Sequence, residues 1–227
     1  MSKTVVALLP MKANSERVKG KNFKMLAGKP LFQWILDALL SDHSINKVVI
    51  NTDAKALLLE NGLKECDRVI IRDRKPELCG DLVSMNLILA DDIANVPADT
   101  YIMTHTTNPL IKGETITKAL KKYHDNLPEY DSLFTVNKIQ TRFYRNDMSP
   151  VNHDPDNLIR TQDLEPWYEE NSCLFMFSAE SFLSTNARIG KKPLMYITPV
   201  LQSIDIDEPE DWELASALAE RLVKNGN

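Results

Sequence analysis

The sequence predicts an α/β protein built on a doubly wound, mostly parallel sheet. Two observations predict it: five nearly all-apolar, β-branched runs, and stretches of helical length between them. Apolar runs without alternation belong to strands buried on both faces. TVVALL at 4–9 opens the series, and KVVIN at 47–51, RVIIR at 68–72, YIMTH at 101–105 and SLFTV at 132–136 follow. Between them, helices are expected at 30–40, 54–65, 84–96 and 114–126, the first opening with Pro30, a residue type favoured at the first helical position. After 136 the rhythm breaks. Residues 138–170 are polar and rich in Pro, Asn and Asp, with Trp167 and Tyr168 at the far end. A disordered linker is one reading; the aromatic residues favour an ordered excursion, a lid or an oligomer arm. The strand pattern then returns at 172–177, 194–198 and 203–207, and an amphipathic helix at 209–224 ends the series. One domain over 1–227 with an excursion at 138–170 is the expectation.

Bulk properties narrow the function. A chain of 227 residues with a formal net charge of -5 is a poor general binder of nucleic acid, whose domains are usually basic. Three cysteines at wide spacing and four scattered histidines spell neither a disulfide framework nor a zinc cage. A reduced cytoplasmic setting is expected. The apolar run at 5–9 is too short for a signal-peptide core or a membrane span, so no membrane partner is expected.

Against that acidic background, residues 12–24 carry Lys12, Arg17, Lys19, Lys21 and Lys24 with one acid, Glu16. They follow the first predicted strand, where ligands of doubly wound sheets bind and backbone N–H groups favour anions. A local cation cluster on an acidic chain points to a small anion, and phosphate suits it. The loop is neither a Walker A sequence nor GxGxxG, since Gly20-Lys21-Asn22 lacks the hydroxyl residue after lysine.

The spelling PMKANSERVKGKNFKMLAGKPL at 10–31 resembles the opening signature of the CMP-sugar synthetases, the cytidylyltransferases for N-acylneuraminate and related acidic sugars. Ser15, Lys21, Asn22, Leu26, Gly28, Lys29, Pro30 and Leu31 match, Lys12 stands for the usual arginine, and Glu16-Arg17 replaces Lys-Gly. Further likenesses follow in the family's order: NTD at 51–53, RKPELCGDLVS at 74–84, HTTNPL at 105–110, RTQDLEPWYEEN at 160–171 and SIDIDEPEDWELA at 203–215. The resemblance implies a fold of the nucleotide-diphospho-sugar transferase type and transfer of CMP from CTP to an acidic 2-keto sugar. It implies that Lys12 and Lys21 grip the triphosphate, and that Ser15, Asn22, Arg74 and Ser84 contact the nucleotide. The excursion would then join two copies in a homodimer. A synthetase for the eight-carbon acid Kdo, or a non-catalytic nucleotide-binding relative, is the alternative.

Asp205 and Asp207 stand two apart in a strand-like run, which points both carboxylates to one face. Such a pair repels unless a cation or a proton intervenes. A solvated strand end or a helix cap is one reading. The phosphate cradle favours a magnesium site, since Mg2+ takes one or two carboxylates and completes its shell with water and phosphate. The resemblance implies the same, with Asp207 catalytic alongside Lys12 and Lys21. Asp53 is a weaker ligand candidate, as readily a cap for the helix after it. His105 is left without a role as base.

The acceptor positions implied by the resemblance are His105, Thr107, Asn108, Arg160, Gln162, Tyr168 and Asn171. Several depart from the family: His105 stands for Gln, Asn108 for Ser, Thr161 for Arg and Ser172 for Gly. An acceptor other than N-acetylneuraminate is therefore expected. Its carboxylate needs a cation, and Arg160, Lys112, Arg142 and Arg145 are the candidates.

Overall fold

The apolar runs become strands and the stretches between them helices. In the computed structural model, which describes residues 3–13, 15 and 17–225, β1 (Val5–Leu8) leads into a short hairpin of β2 (Met25–Leu26) and β3 (Lys29–Pro30). Then come α1 (Leu31–Ser41), β4 (Lys47–Thr52), α2 (Lys55–Glu60), β5 (Val69–Asp73), α3 (Met85–Asn95), β6 (Thr100–Met103) and α4 (Gly113–Asp125). The chain continues through β7 (Ser132–Ile139), β8 (Trp167–Phe177), α5 (Ala179–Thr185), β9 (Pro193–Ile197) and α6 (Pro209–Lys224).

Seven of these strands form one sheet in the order β5-β4-β1-β6-β8-β7-β9. β1 pairs in parallel with β4 and β6, β4 with β5, and β7 with β9. Only β8 opposes its neighbours, pairing antiparallel with β6 and β7. The chain winds outward from β1 through β4 to β5, then returns to the other side of β1 as β6. That reversal leaves a crevice beyond the carboxyl ends of β1 and β6.

Alternate side chains serve opposite faces. Val5 and Ala7 pack with Ile35, Leu36, Leu58 and Leu120 under α1, α2 and α4. Val6 and Leu8 pack with Leu89, Ile93 and Phe182 under α3 and α5. This double burial explains why the strands read as unbroken apolar runs. A third cluster joins the chain's two ends: Val18, Leu26 and Leu31 pack with Ile206, Trp212, Ala215 and Ala219. The Lys24 ammonium also lies 4.1 Å from the Trp212 ring.

Four expectations are corrected. The helix expected over 54–65 stops at Glu60, because Gly62 takes φ +88° and the N–H of Leu63 returns to the Leu58 carbonyl. Pro30 precedes α1 as its cap residue and does not open it. Residues 203–207 are not a strand: they run as an extended segment in which the Ile206 N–H donates to the Thr107 carbonyl at 2.9 Å. The strand expected at 172–177 begins at Trp167, since β7 and β8 extend together and pair 136–139 with 167–170. Residues 138–170 are thus rooted in a two-stranded stalk. Its tip is closed by a Tyr144–Pro150 bridge and by Phe143 stacked on Trp167 at 5.1 Å.

Because Trp212 seals the opening loop against α6, Trp212→Ala should cost about 3–5 kcal/mol, the usual range for a buried aromatic. A urea titration with an unchanged m-value would register it. A loss under about 1 kcal/mol would mean that the two chain ends do not share a core.

Candidate active site

Three segments converge at the crevice: the loop after β1, the turn between β5 and α3, and the loop after β6. Together with Asp207 they line a cleft of about 350 Å3. Of the predicted residues, Lys12, Ser15, Lys21, Asn22, Arg74, His105, Thr107 and Asp207 all border it. Apolar side chains line it as well: Met11, Val83, Met85 and Ile88. The helix that reaches the cleft is α3, through Met85, and not α1, because the hairpin intervenes between β1 and α1. Glu16 lies outside the described residues.

The loop after β1 is held by specific bonds. Asn22 donates to the Lys12 carbonyl at 2.8 Å and accepts from the Thr106 hydroxyl at 2.6 Å, bracing the loop to the end of β6. Asp53 accepts from the Ala13 N–H at 2.7 Å. It therefore ties down this loop and does not cap α2, whose cap residue is Ala54. Beneath, Arg74 donates to Asn51 Oδ1 at 2.9 Å and to the Met11 carbonyl at 3.0 Å. Asn51 in turn donates to the buried Asp92 at 2.8 Å, which also pairs with Arg72. This chain of polar contacts fixes three strand ends relative to one another.

Lys21 is buried, with 10% of its side chain exposed. Its ammonium donates to the Ile206 carbonyl and stands 3.6 Å from Asp207. Asp207 is placed by the start of α6, where the Asp211 carboxylate accepts from the N–H groups of Asp207 and Glu208, and Glu208 completes a capping box. Arg17 reaches across to Asp207 at 3.0 Å and Glu208 at 2.9 Å. Sequence reasoning counted Arg17 only as one of the loop's five cations and gave it no individual role, because the resemblance marks its position as a departure. Across the mouth, Lys12 pairs with Asp81. Gly80 beside it holds φ +114°, a conformation that a side chain would strain.

Asp205 lies behind Asp207. Burial pushes its carboxyl above the ordinary range; a hydrogen bond with the Thr107 side chain opposes that push, and the negative charge of Asp207 adds to it. The Oδ1 of Asp205 is buried without a hydrogen-bond partner. An orphaned carboxylate oxygen beside a second carboxylate suits a cation. Among the described residues no group of three or more His, Cys, Asp and Glu could hold a metal. Two carboxylates are what Mg2+ uses when phosphate supplies other ligands.

The remaining predicted residues lie elsewhere. Ser84 caps α3, accepting from the Asn86 N–H at 3.3 Å, and borders a second hollow. Asn108 is buried and donates to the Ile204 carbonyl at 3.4 Å. Asn171 is spent on Asn137 at 2.9 Å and Thr198 at 2.6 Å. Arg160, Gln162 and Tyr168 stand on the excursion, Arg160 paired with Asp163 at 2.6 Å; none of these three borders the cleft. One cation that sequence reasoning missed is Arg188. It is mostly buried, its Cζ lies 4.0 Å from the centre of the Phe175 ring, and Glu170 stands 3.6 Å away. No motif surrounds it; only the fold brings it near.

A cleft at the reversal point of a doubly wound sheet, lined by both cationic and apolar side chains, is where α/β proteins of this class bind their ligands. The chain belongs to the cytidylyltransferase family, whose model matches residues 6–223. It is 26% identical over 223 residues to the N-acylneuraminate cytidylyltransferase of Streptococcus agalactiae serotype III, covering 91% of this chain and 51% of that one. The chain thus spans about half the length of that relative. It is 26% identical over 229 residues to the CMP-N,N'-diacetyllegionaminic acid synthase of Legionella pneumophila, covering 95% of this chain and 96% of that one. A solved CMP:2-keto-3-deoxy-manno-octonic acid synthetase complexed with CTP shares the fold, with a TM-score of 0.67 at 17% identity over 96% of this chain and 99% of that one.

Burial, and then the charge of Arg188, lower the His105 imidazole to about 4, so it is neutral at pH 7. The unfolded chain takes up this proton near 6.5 and the native chain only near 4. Stability should therefore fall as the pH drops from 6.5 towards 4, by up to about 3 kcal/mol from this group. His105→Gln should flatten that part of the acid limb in pH-dependent denaturation. An imidazole NMR titration midpoint near the ordinary value would contradict the burial argument.

Proposed function

We propose that this chain transfers CMP from CTP to the anomeric hydroxyl of an acidic 2-keto sugar of the nonulosonate type, releasing pyrophosphate. The observation that carries the reading is the convergence of Lys12, Arg17 and Lys21 with Asp207 on one cleft, in a chain of the cytidylyltransferase family. The relatives named for sialic-acid-like acceptors support the acceptor class. In this reading the acceptor oxygen attacks the α-phosphorus, a carbon–oxygen–phosphorus link forms, and the bond to the bridging oxygen breaks. The hydroxyl proton is lost, and the electron pair leaves with pyrophosphate. Lys12 and Lys21 offset charge on the phosphate oxygens, and the apolar side chains of Met11, Val83 and Ile88 receive the base.

Magnesium is the proposed cofactor, with Asp205 and Asp207 holding it. Bound there, it would draw negative charge from the phosphate oxygens. Lys21 and Arg17, which touch Asp207, keep that carboxylate aimed at the cleft. Two copies are proposed to associate through the excursion, supported by its exposed Met148 (78%), Leu158 (64%) and Tyr168 (43%). Sedimentation at micromolar protein tests this, and a monomer would remove it. A cytoplasmic setting suits three free cysteines. Among the described residues no helix is long and apolar enough to cross a membrane.

The test is pyrophosphate release from each nucleoside triphosphate against a panel of eight- and nine-carbon 2-keto acid sugars, with magnesium present or chelated. Release with CTP and one acid, abolished by chelation, is expected; release with another triphosphate alone would overturn the reading. Lys12→Ala should lower turnover about 10²–10³-fold. Its stability should change by no more than about 1 kcal/mol, because the pair with Asp81 is exposed. Asp207→Asn should stay folded and inactive. As the pH falls, protons compete for the raised Asp205 carboxyl, so half-saturation by Mg2+ should need more metal; a pH-independent midpoint would remove Asp205 from the site.

A further inference from the structure

An acidic acceptor needs a cation on its own side of the cleft, and the four candidates from the sequence do not supply one from this chain. Arg160 is closed on Asp163 by bonds of 2.6 and 3.0 Å. Arg142 donates to the Ile159 carbonyl at 2.6 Å, and Arg145 bonds within its own turn, to Ser149 and Pro150. Lys112 borders a separate apolar hollow with Leu110, Pro199 and Leu222. Arg188 is differently placed. With Ser84, Asn86 and Glu170 it lines a hollow of about 330 Å3, and Met85 lines both this hollow and the main cleft. The two spaces therefore lie side by side, with Met85, at the amino end of α3, bordering both.

The fold explains why a cation persists there. β8 sets Phe175 opposite Met103, two residues before His105, and Arg188 lies over the Phe175 ring at 4.0 Å. Stacking on a ring restrains the guanidinium at little hydration cost. Glu170 is a loose partner at 3.6 Å, and five N–H donors leave Arg188 able to serve a second carboxylate. The first turn of α3 adds a favourable field for an anion. The charged and titratable groups facing the guanidinium are Glu170 and His105. Burial and the Arg188 charge keep His105 neutral, so the positive charge offered to an entering acid is that of Arg188, which is shared with Glu170.

We propose that Arg188 binds the carboxylate of the acceptor sugar, making the hollow beside Met85 and His105 the acid-recognition subsite of this chain. The assignment rests on the transfer reading given above. It makes Arg188 a specificity residue that selects 2-keto acids over neutral sugars.

The experiment compares wild type, Arg188→Gln and Arg188→Lys in pyrophosphate release. The acceptors are N-acylneuraminate, diacetyllegionaminate, pseudaminate and the eight-carbon 2-keto-3-deoxy acid, each as free acid and as C1 amide. Loss of a charge-assisted bond should raise KM for the best acid about 10- to 100-fold in Arg188→Gln. KM for CTP should stay unchanged, the preference for acid over amide should collapse, and Arg188→Lys should recover part of it. Should the glutamine variant fail to fold, the acid-to-amide ratio of Arg188→Lys decides: a reduced ratio supports the assignment and a wild-type ratio overturns it. Wild-type KM and acid preference in a folded Arg188→Gln overturn the Arg188 assignment and leave the transfer reading standing. Silence of the wild type with every acid overturns both.

Discussion

A single buried ammonium connects the two ends of this chain. Lys21 sits in the loop after β1, yet its partners, the Ile206 carbonyl and Asp207, lie 185 or more residues away in sequence. Burying a lysine costs several kcal/mol unless charge and hydrogen bonds compensate. The extended segment 203–207 therefore has to lie where it does, and α6 has to begin beside it. The cluster of Val18, Leu26, Trp212 and Ala215 adds apolar contact to the same junction. The cleft exists because these constraints hold both of its walls.

The rest of the site follows from managing charge at the strand ends. Arg74, Asn51, Asp92 and Arg72 form a continuous polar chain under the cleft floor. Burial pushes the Asp92 carboxyl up, and its bonds to Asn51 and Arg72 oppose that push. Removing Arg72 would leave the buried Asp92 charge without its ion partner, typically a loss of about 3–5 kcal/mol. Near the mouth the same residue types are exposed, and pairs such as Lys12 with Asp81 can exchange a carboxylate for a phosphate at little cost. The network is therefore rigid beneath the cleft and exchangeable at its mouth.

Much of this was legible in the residues themselves. The cation-rich loop, the turn at 74–84 and the 105–107 stretch contribute to one cleft, because each follows an apolar strand and strand ends of a doubly wound sheet share an edge. Less legible were the contacts that individual side chains make. Asn171 has a matching motif position, but its amide is taken by Asn137 and Thr198. Asp53 could read as a helix cap, and it holds the Ala13 N–H instead. Arg17 belongs to the cation-rich loop, but its pairing with Asp207 and Glu208 is visible only in space, and Arg188 sits in no motif at all.

By itself the sequence determined the fold class, the family resemblance and the location of the cation-rich loop. These depend on local pattern: burial on two faces requires unbroken apolar strands, and a cation cluster on an acidic chain survives any arrangement of the rest. Only the tertiary structure decided that 203–207 is an extended strap and not a strand, that α2 ends at Glu60, and that the arginine beside His105 comes from residue 188. Those outcomes depend on which long-range partners compete for each hydrogen bond and each buried charge. Such partners are distant in sequence and become neighbours only when the sheet has formed.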